Sequence, residues 1–139
     1  MSGGLVMPKF GKTSRSRLET CHKALVCSAE AAIEIVDFSI VWGHRGEEDQ
    51  NKAYYSGHSN VKWPNSKHNK IPSEAFDFMP YPFKSWEDIK RFTYIAGIIM
   101  GCALQLGVIL TYGGDWKKNG MLKQIHPYDY GHIEFCKYI

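Results

Sequence analysis

Ala75-Phe76-Asp77-Phe78-Met79-Pro80 is the stretch on which the reading of the fold turns. Side chains of a strand point alternately to opposite faces, so Phe76 and Phe78 share one face, and Ala75, Asp77 and Met79 the other. Pro80 and Pro82 stop the strand. The pattern returns at 132–138, where His132, Glu134 and Cys136 share one face and Ile133 and Phe135 the other. Each strand buries apolar rings or chains on one side and offers a ligand-bearing group on the opposite side. As neighbours in one sheet, they would bring Asp77 and His132 together.

Outward from this pair, Phe38–Trp42 and Val108–Tyr112 read as two further strands. Leu18, Cys21, Leu25, Ala29, Ala32 and Val36 recur at helical spacing and predict one helix over about 17–36. A turn and short helix follow Gly43, ending near Gly57, and residues 57–73 form a long polar loop. Ser85-Trp-Glu-Asp88 has the form of a capping box ahead of a helix with Ile89, Phe92, Ala96, Ile99, Ala103 and Leu106 on one stripe, stopped at Gly107. Residues 1–13 are expected to be a loose lead-in, and 14–139 one domain. Helices around a few strands without βαβ alternation predict an α+β fold, a small mostly antiparallel sheet packed against helices.

Composition narrows the function classes. A chain of 139 residues with 44% hydrophobic and 22% charged residues can bury a real core, which argues against disorder. The net charge is only +3 and the basic residues are scattered, so no nucleic-acid footprint is expected. No stretch approaches the ~20 apolar residues of a membrane span, and the N-terminus lacks the pattern of a secretory signal. The chain is therefore expected in the cytoplasm, without membrane insertion. Four cysteines, Cys21, Cys27, Cys102 and Cys136, are widely spread and read as small core residues rather than a disulfide frame.

Asp77 and His132, completed by His68 at the end of the long loop, supply three protein ligands, the count of a catalytic zinc site with its fourth position open. Asp129, three residues before His132, can approach that position without ligating, where a general base is needed. Spacing alone leaves alternatives open. His126 and Glu134 are rival ligands, Glu134 reading rather as an outer carboxylate, and two histidines with one carboxylate also suit ferrous iron. His22, His44, His58 and His126 read as non-ligands, with His126 the strongest rival among them.

Longer segments carry a resemblance. Ser66-Lys-His68…Pro72-Ser73-Glu-Ala75-Phe-Asp77 resembles the Ser-x-His…Ala-x-Asp motif of the D-Ala-D-Ala carboxypeptidase (VanY-type) zinc peptidases, and Asp129-Tyr-Gly-His132-Ile-Glu134 resembles their second motif. Trp42-Gly-His-Arg45 with Gln50 and Gly57 is similar to a third segment. Gly113-Gly-Asp-Trp116 is similar to a turn of the family's phage endolysin branch, the L-alanyl-D-glutamate endopeptidases. The likeness spans about residues 14–137. It departs in two places: eight residues, two more than usual, separate His68 from Asp77, with Ser73 where a glycine is usual, and Gly131 stands where Pro or Trp often precedes the second histidine.

The resemblance implies one zinc ion held by His68, Asp77 and His132, with Asp129 as catalytic base and Arg45 stabilising the oxyanion. Gln50, Ser66, Trp116 and Glu134 are weaker candidates for substrate or supporting contacts. It implies a phage-type endolysin, a monomer cutting the L-Ala–D-Glu bond of the bacterial peptidoglycan stem peptide. Such an enzyme accumulates in the host cytoplasm and reaches the wall after membrane permeabilisation. Two other readings use the same site: a D-Ala-D-Ala carboxypeptidase or dipeptidase, and a zinc-stabilised binding module without activity. Retention of both Asp129 and Arg45 argues against the module, since a purely structural zinc needs neither.

Overall fold

The computed structural model describes residues 7–118, 120 and 127–139, without the side chains of residues 127 and 128. Strands β1 (Phe38–Trp42), β2 (Ala75–Pro80), β3 (Val108–Tyr112) and β4 (His132–Tyr138) form one sheet in the order β1-β2-β4-β3, every neighbouring pair antiparallel. Helices α1 (Lys12–Leu18), α2 (Lys23–Ile33), α3 (Glu47–Tyr55) and α4 (Ile89–Gln105) complete the α+β fold that the sequence predicts. Among the described residues no helix is long and apolar enough to cross a membrane.

The period-2 pattern decides which face is buried. Phe38, Ile40, Phe76, Phe78 and Ile133 are buried, together with Phe92, Ile95 and Ile99 from the apolar stripe of α4. The Phe78 ring is the hub, with centroids 5.9 Å from Phe38 and 5.6 Å from Phe92. Helix α4 packs on α2 and β3, and α1 on β1. The opposite face of β2 and β4 is left open at Asp77, His132 and Glu134.

Three expectations are corrected. The single helix over 17–36 is two helices, the first starting at Lys12, inside the expected lead-in. Between them Cys21 forms a parallel bridge with Ser73, Ser73 N donates to Thr20 O (2.9 Å) and His22 N to Ser73 O (2.7 Å). The amphipathic stripe runs through this break because Cys21 still faces the core, so periodicity alone does not reveal it. Secondly, the capping box does not form: Asp88 holds the N-cap position of α4, and its side chain makes no cap hydrogen bond. The Ser85 hydroxyl accepts instead from Glu87 N two residues on (3.0 Å), a local turn bond that competes with capping. Thirdly, of the four cysteines only Cys21 is buried, and Cys136, on the open face of β4 beyond His132 and Glu134, is exposed. All four are free thiols.

Truncating the hub removes contacts with both β1 and α4. Phe78→Ala is expected to cost about 3–5 kcal/mol in urea unfolding; a loss below about 1 kcal/mol would show that the ring is not central to the core.

Candidate active site

Two β pairings build the centre. Asp77 lies directly opposite His132 across the β2–β4 ladder, and Trp42 lies opposite Asp77 on the other side. Plain alternation groups Trp42 with Phe38 and Ile40, facing the core. A bulge between Ile40 and Trp42 inserts Val41, shifting Trp42 into register with Asp77. Trp42, Asp77 and His132 therefore form a cross-strand row on the open face.

His68 arrives from the long loop. It sits in a 3-10 turn, Lys67–Asn69, closed by a reciprocal cap: the Ser66 hydroxyl accepts from His68 N (3.2 Å) and Asn69 Oδ1 accepts from Ser66 N (3.0 Å). The extra length before Asp77 is absorbed at residues 70–72, which are exposed, Ile71 at 86%. Below that bulge the neck is closed by Glu74 N donating to Lys67 O (3.0 Å) and by the Ser73 bonds to Thr20 and His22. Ser73 in place of glycine adds a hydroxyl that donates to Ala75 O (2.7 Å), locking entry into β2.

The three groups converge on one oxygen. His68 Nε2 is 3.2 Å and His132 Nδ1 3.0 Å from Asp77 Oδ1, and the three candidate ligand atoms lie within 4.8 Å of one another. Ligands on a tetrahedral zinc at ~2.0–2.1 Å stand ~3.3 Å apart, so the two short separations match edges of such a site. The far side of each ring settles its tautomer. His68 Nδ1 is 2.8 Å from Gly43 O and His132 Nε2 is 2.9 Å from Glu134 Oε1. Both partners only accept, so these nitrogens carry protons and the inward ones carry lone pairs. Gly43 has a steric reason to be glycine: a Cβ there would collide with Arg17 O and Thr20 Oγ1. The donor set therefore fits a metal ion. His126 lies outside the described residues, and neither Glu134 nor His58 belongs to the group.

Arg45 closes the other side of Asp77. It is 6% exposed, donating from Nη2 to Asp77 Oδ2 (3.0 Å) and from Nη1 to Gln50 Oε1 (3.1 Å), with its guanidinium carbon 4.8 Å from the centre of the Trp42 ring. Its Nε is buried with no hydrogen-bond partner among the described residues. Gln50 is fully buried and its amide is committed to Arg45, Asn69, Ser59 and Val61, so it supports Arg45 rather than meeting a substrate. Ser66, 7% exposed, serves the turn that carries His68. Trp42 and Asn69, which donates to Arg45 O (2.8 Å), escaped the sequence reading. The Ser-x-x-Asn spacing of the cap is the signal that could have found Asn69.

Asp129 lies in a 3-10 turn, Pro127–Gly131, ahead of β4 and lines the same cleft as His68, Asp77, His132 and Arg45. Tyr130 is buried in the core, and buried Tyr112 donates from its hydroxyl to Tyr130 O (2.8 Å), fixing the turn. Gly113 lets the end of β3 pass close to it: a Cβ would strike Asp129 O and crowd His132 Cβ. Trp116 stands at the rim, half-exposed, its ring 5.5 Å from His132. The cleft measures about 420 Å³.

Electrostatics follow from this crowding. Burial alone would raise the Asp77 carboxyl, but His68 and His132 hold it well below the usual carboxylate range. Burial alone would lower His132, yet its bonds to Asp77 and Glu134 override that and raise it from 6.5 to about 9. Glu134 is likewise opposed by burial and lowered by His132. Without a metal, a proton fills the space between the converging lone pairs.

An α+β fold with this His–Asp–His group, an acid and an arginine in one cleft defines a peptidase of the metal-site class. The family model for phage L-alanyl-D-glutamate peptidase matches residues 6–136. Among solved structures, the Serratia marcescens L-Ala D-Glu endopeptidase ChiX is 26% identical, with 92% of this chain and 90% of that one covered and a TM-score of 0.70. No curated protein sequence matches. The chain belongs to the phage L-alanyl-D-glutamate peptidase family and is a phage-type peptidoglycan endopeptidase.

A raised histidine pKa stabilises the fold fully below the unfolded value and loses that contribution as pH climbs through the folded one. The metal-free protein is therefore expected to lose melting temperature between pH 6.5 and about 9 through His132. Added metal, which needs the neutral ring, should stabilise it increasingly over the same window. Parallel melting curves at all pH values would contradict this. Glu134→Ala leaves the His132 Nε2 proton unaccepted and should weaken metal binding about 10–100-fold, measured by chelator competition.

Proposed function

We propose that His68, Asp77 and His132 hold one zinc ion and that Asp129 and Arg45 carry the reaction at the L-Ala–D-Glu bond. What supports this reading is the set of three oriented ligand atoms facing the acid and the arginine in one cleft. Bound zinc would polarise the scissile carbonyl and acidify a water toward a pKa of ~7. Asp129 accepts the proton of the attacking water and hands it to the D-Glu nitrogen as the C–N bond breaks, so the amine leaves neutral. Arg45 spends one donor on Asp77 and one on Gln50 and has others for the carbonyl oxygen as it gains negative charge. Trp42 and Gln50 keep that guanidinium from swinging away, and Trp116 walls the cleft beside His132. Two imidazoles and one carboxylate suit zinc above the harder cations. We further propose a monomer that accumulates in the host cytoplasm and reaches the wall once the membrane is permeabilised, binding no nucleic acid and inserting in no membrane.

Asp129→Asn should keep its metal and lose about 10²–10⁴-fold in wall-lysis rate, because only the proton carrier is removed. Equal lysis by the variant would exclude Asp129 from the proton transfer. Mass spectrometry of digested muropeptides should show new D-Glu N-termini; release of terminal D-Ala alone would point to a carboxypeptidase.

A further inference from the structure

A glutamate acylated on its amine by alanine has two carboxyl groups, and only one can carry the peptide onward. The other stands free, as a carboxylate or as its amide, within a few bonds of the scissile nitrogen. In a cleft lined by Asp77, Asp129 and Glu134, such a group is best received by a cation with donors still to give. Two Lys or Arg side chains line the cleft among its described residues, Arg45 and Lys67. Arg45 is buried and bound to Asp77 and Gln50.

Lys67 differs in each respect. Its side chain is 40% exposed and its ammonium makes a hydrogen bond to Phe135 O (3.0 Å). It also forms an ion pair with Glu134 Oε2 at 3.7 Å, too long for a hydrogen bond, so the pair takes none of its donors. Glu74 N pins its backbone at the loop neck, next to His68 in the chain, and the bond to Phe135 O sets the place of the ammonium. An ammonium has three donors, and this arrangement leaves capacity for an incoming anion.

We propose that Lys67 is a specificity-determining residue that binds the free carboxylate of the D-Glu on the leaving side of the scissile bond. The assignment rests on the peptidase reading above and sharpens it: the preferred substrate is a stem peptide whose D-Glu carboxyl is unamidated. Selectivity comes from Lys67 because an amide offers no charge to pair with it.

The test compares kcat/KM on two synthetic stem peptides, one with free D-Glu and one with its carboxamide, for wild type, Lys67→Met and Lys67→Arg. Wild type should favour the acid about tenfold or more, mainly through KM. Lys67→Met should bring the ratio close to one, and Lys67→Arg should keep most of it. If wild type cuts both peptides equally, or if Lys67→Met slows both by the same factor, Lys67 is only a support for Glu134 and the proposal is wrong. If wild type cuts neither, the peptidase reading itself fails.

Discussion

Three lone-pair carriers cannot share one small space without a cation between them, and the centre of this protein is built on that constraint. Asp77 Oδ1 has an imidazole nitrogen at 3.2 Å from His68 and another at 3.0 Å from His132. Each ring is turned by an acceptor behind it, Gly43 O for one and Glu134 for the other. Flipping the His68 ring would leave buried Gly43 O unpaired, at about 1–3 kcal/mol, and flipping His132 would strip half-buried Glu134 of its donor. A proton on His132 relieves the conflict in part; a divalent ion relieves it fully. The fold thus stores its metal preference as hydrogen-bond geometry around the ligands.

The rest of the structure serves that geometry from several directions. The β2–β4 register sets Asp77 against His132, and the phenylalanines between them and α4 keep the register from slipping. The break between α1 and α2 exists to grip Ser73, at the exit of the loop that carries His68. The turn bearing Asp129 hangs on Tyr130 in the core and on the Tyr112 hydroxyl. Arg45 is clamped from below by Gln50 and Asn69 and covered by Trp42. Loops position the reacting groups, but each loop is tied to the sheet or the core beside the group it presents.

Much of this was legible in the sequence because it follows local periodicity. The alternation in Ala75–Met79 and His132–Tyr138 placed Asp77 and His132 on the open face before any pairing was known. The motifs around Arg45, His68 and Asp129 named the residues that the cleft gathers. What was hidden depends on contacts distant in sequence. The helix break at residues 19–22 is made by Ser73, and Trp42 reaches the site only because Val41 bulges. Gln50 looked able to touch substrate, since nothing in its neighbours reveals that Arg45, Asn69 and Val61 enclose it. The longer spacing after His68 is harmless for a reason no spacing rule contains: the neck between Lys67 and Glu74 closes beneath the insertion.

The proposed centre requires His68, Asp77 and His132 to hold one zinc ion together despite that insertion. X-ray absorption at the zinc edge, on protein purified without added metal salts, tests it most directly. One zinc per chain is expected, with two imidazole nitrogens, one carboxylate oxygen and a solvent oxygen at ~2.0–2.1 Å. Sulfur neighbours at ~2.3 Å, a single imidazole, or no stoichiometric zinc would contradict it.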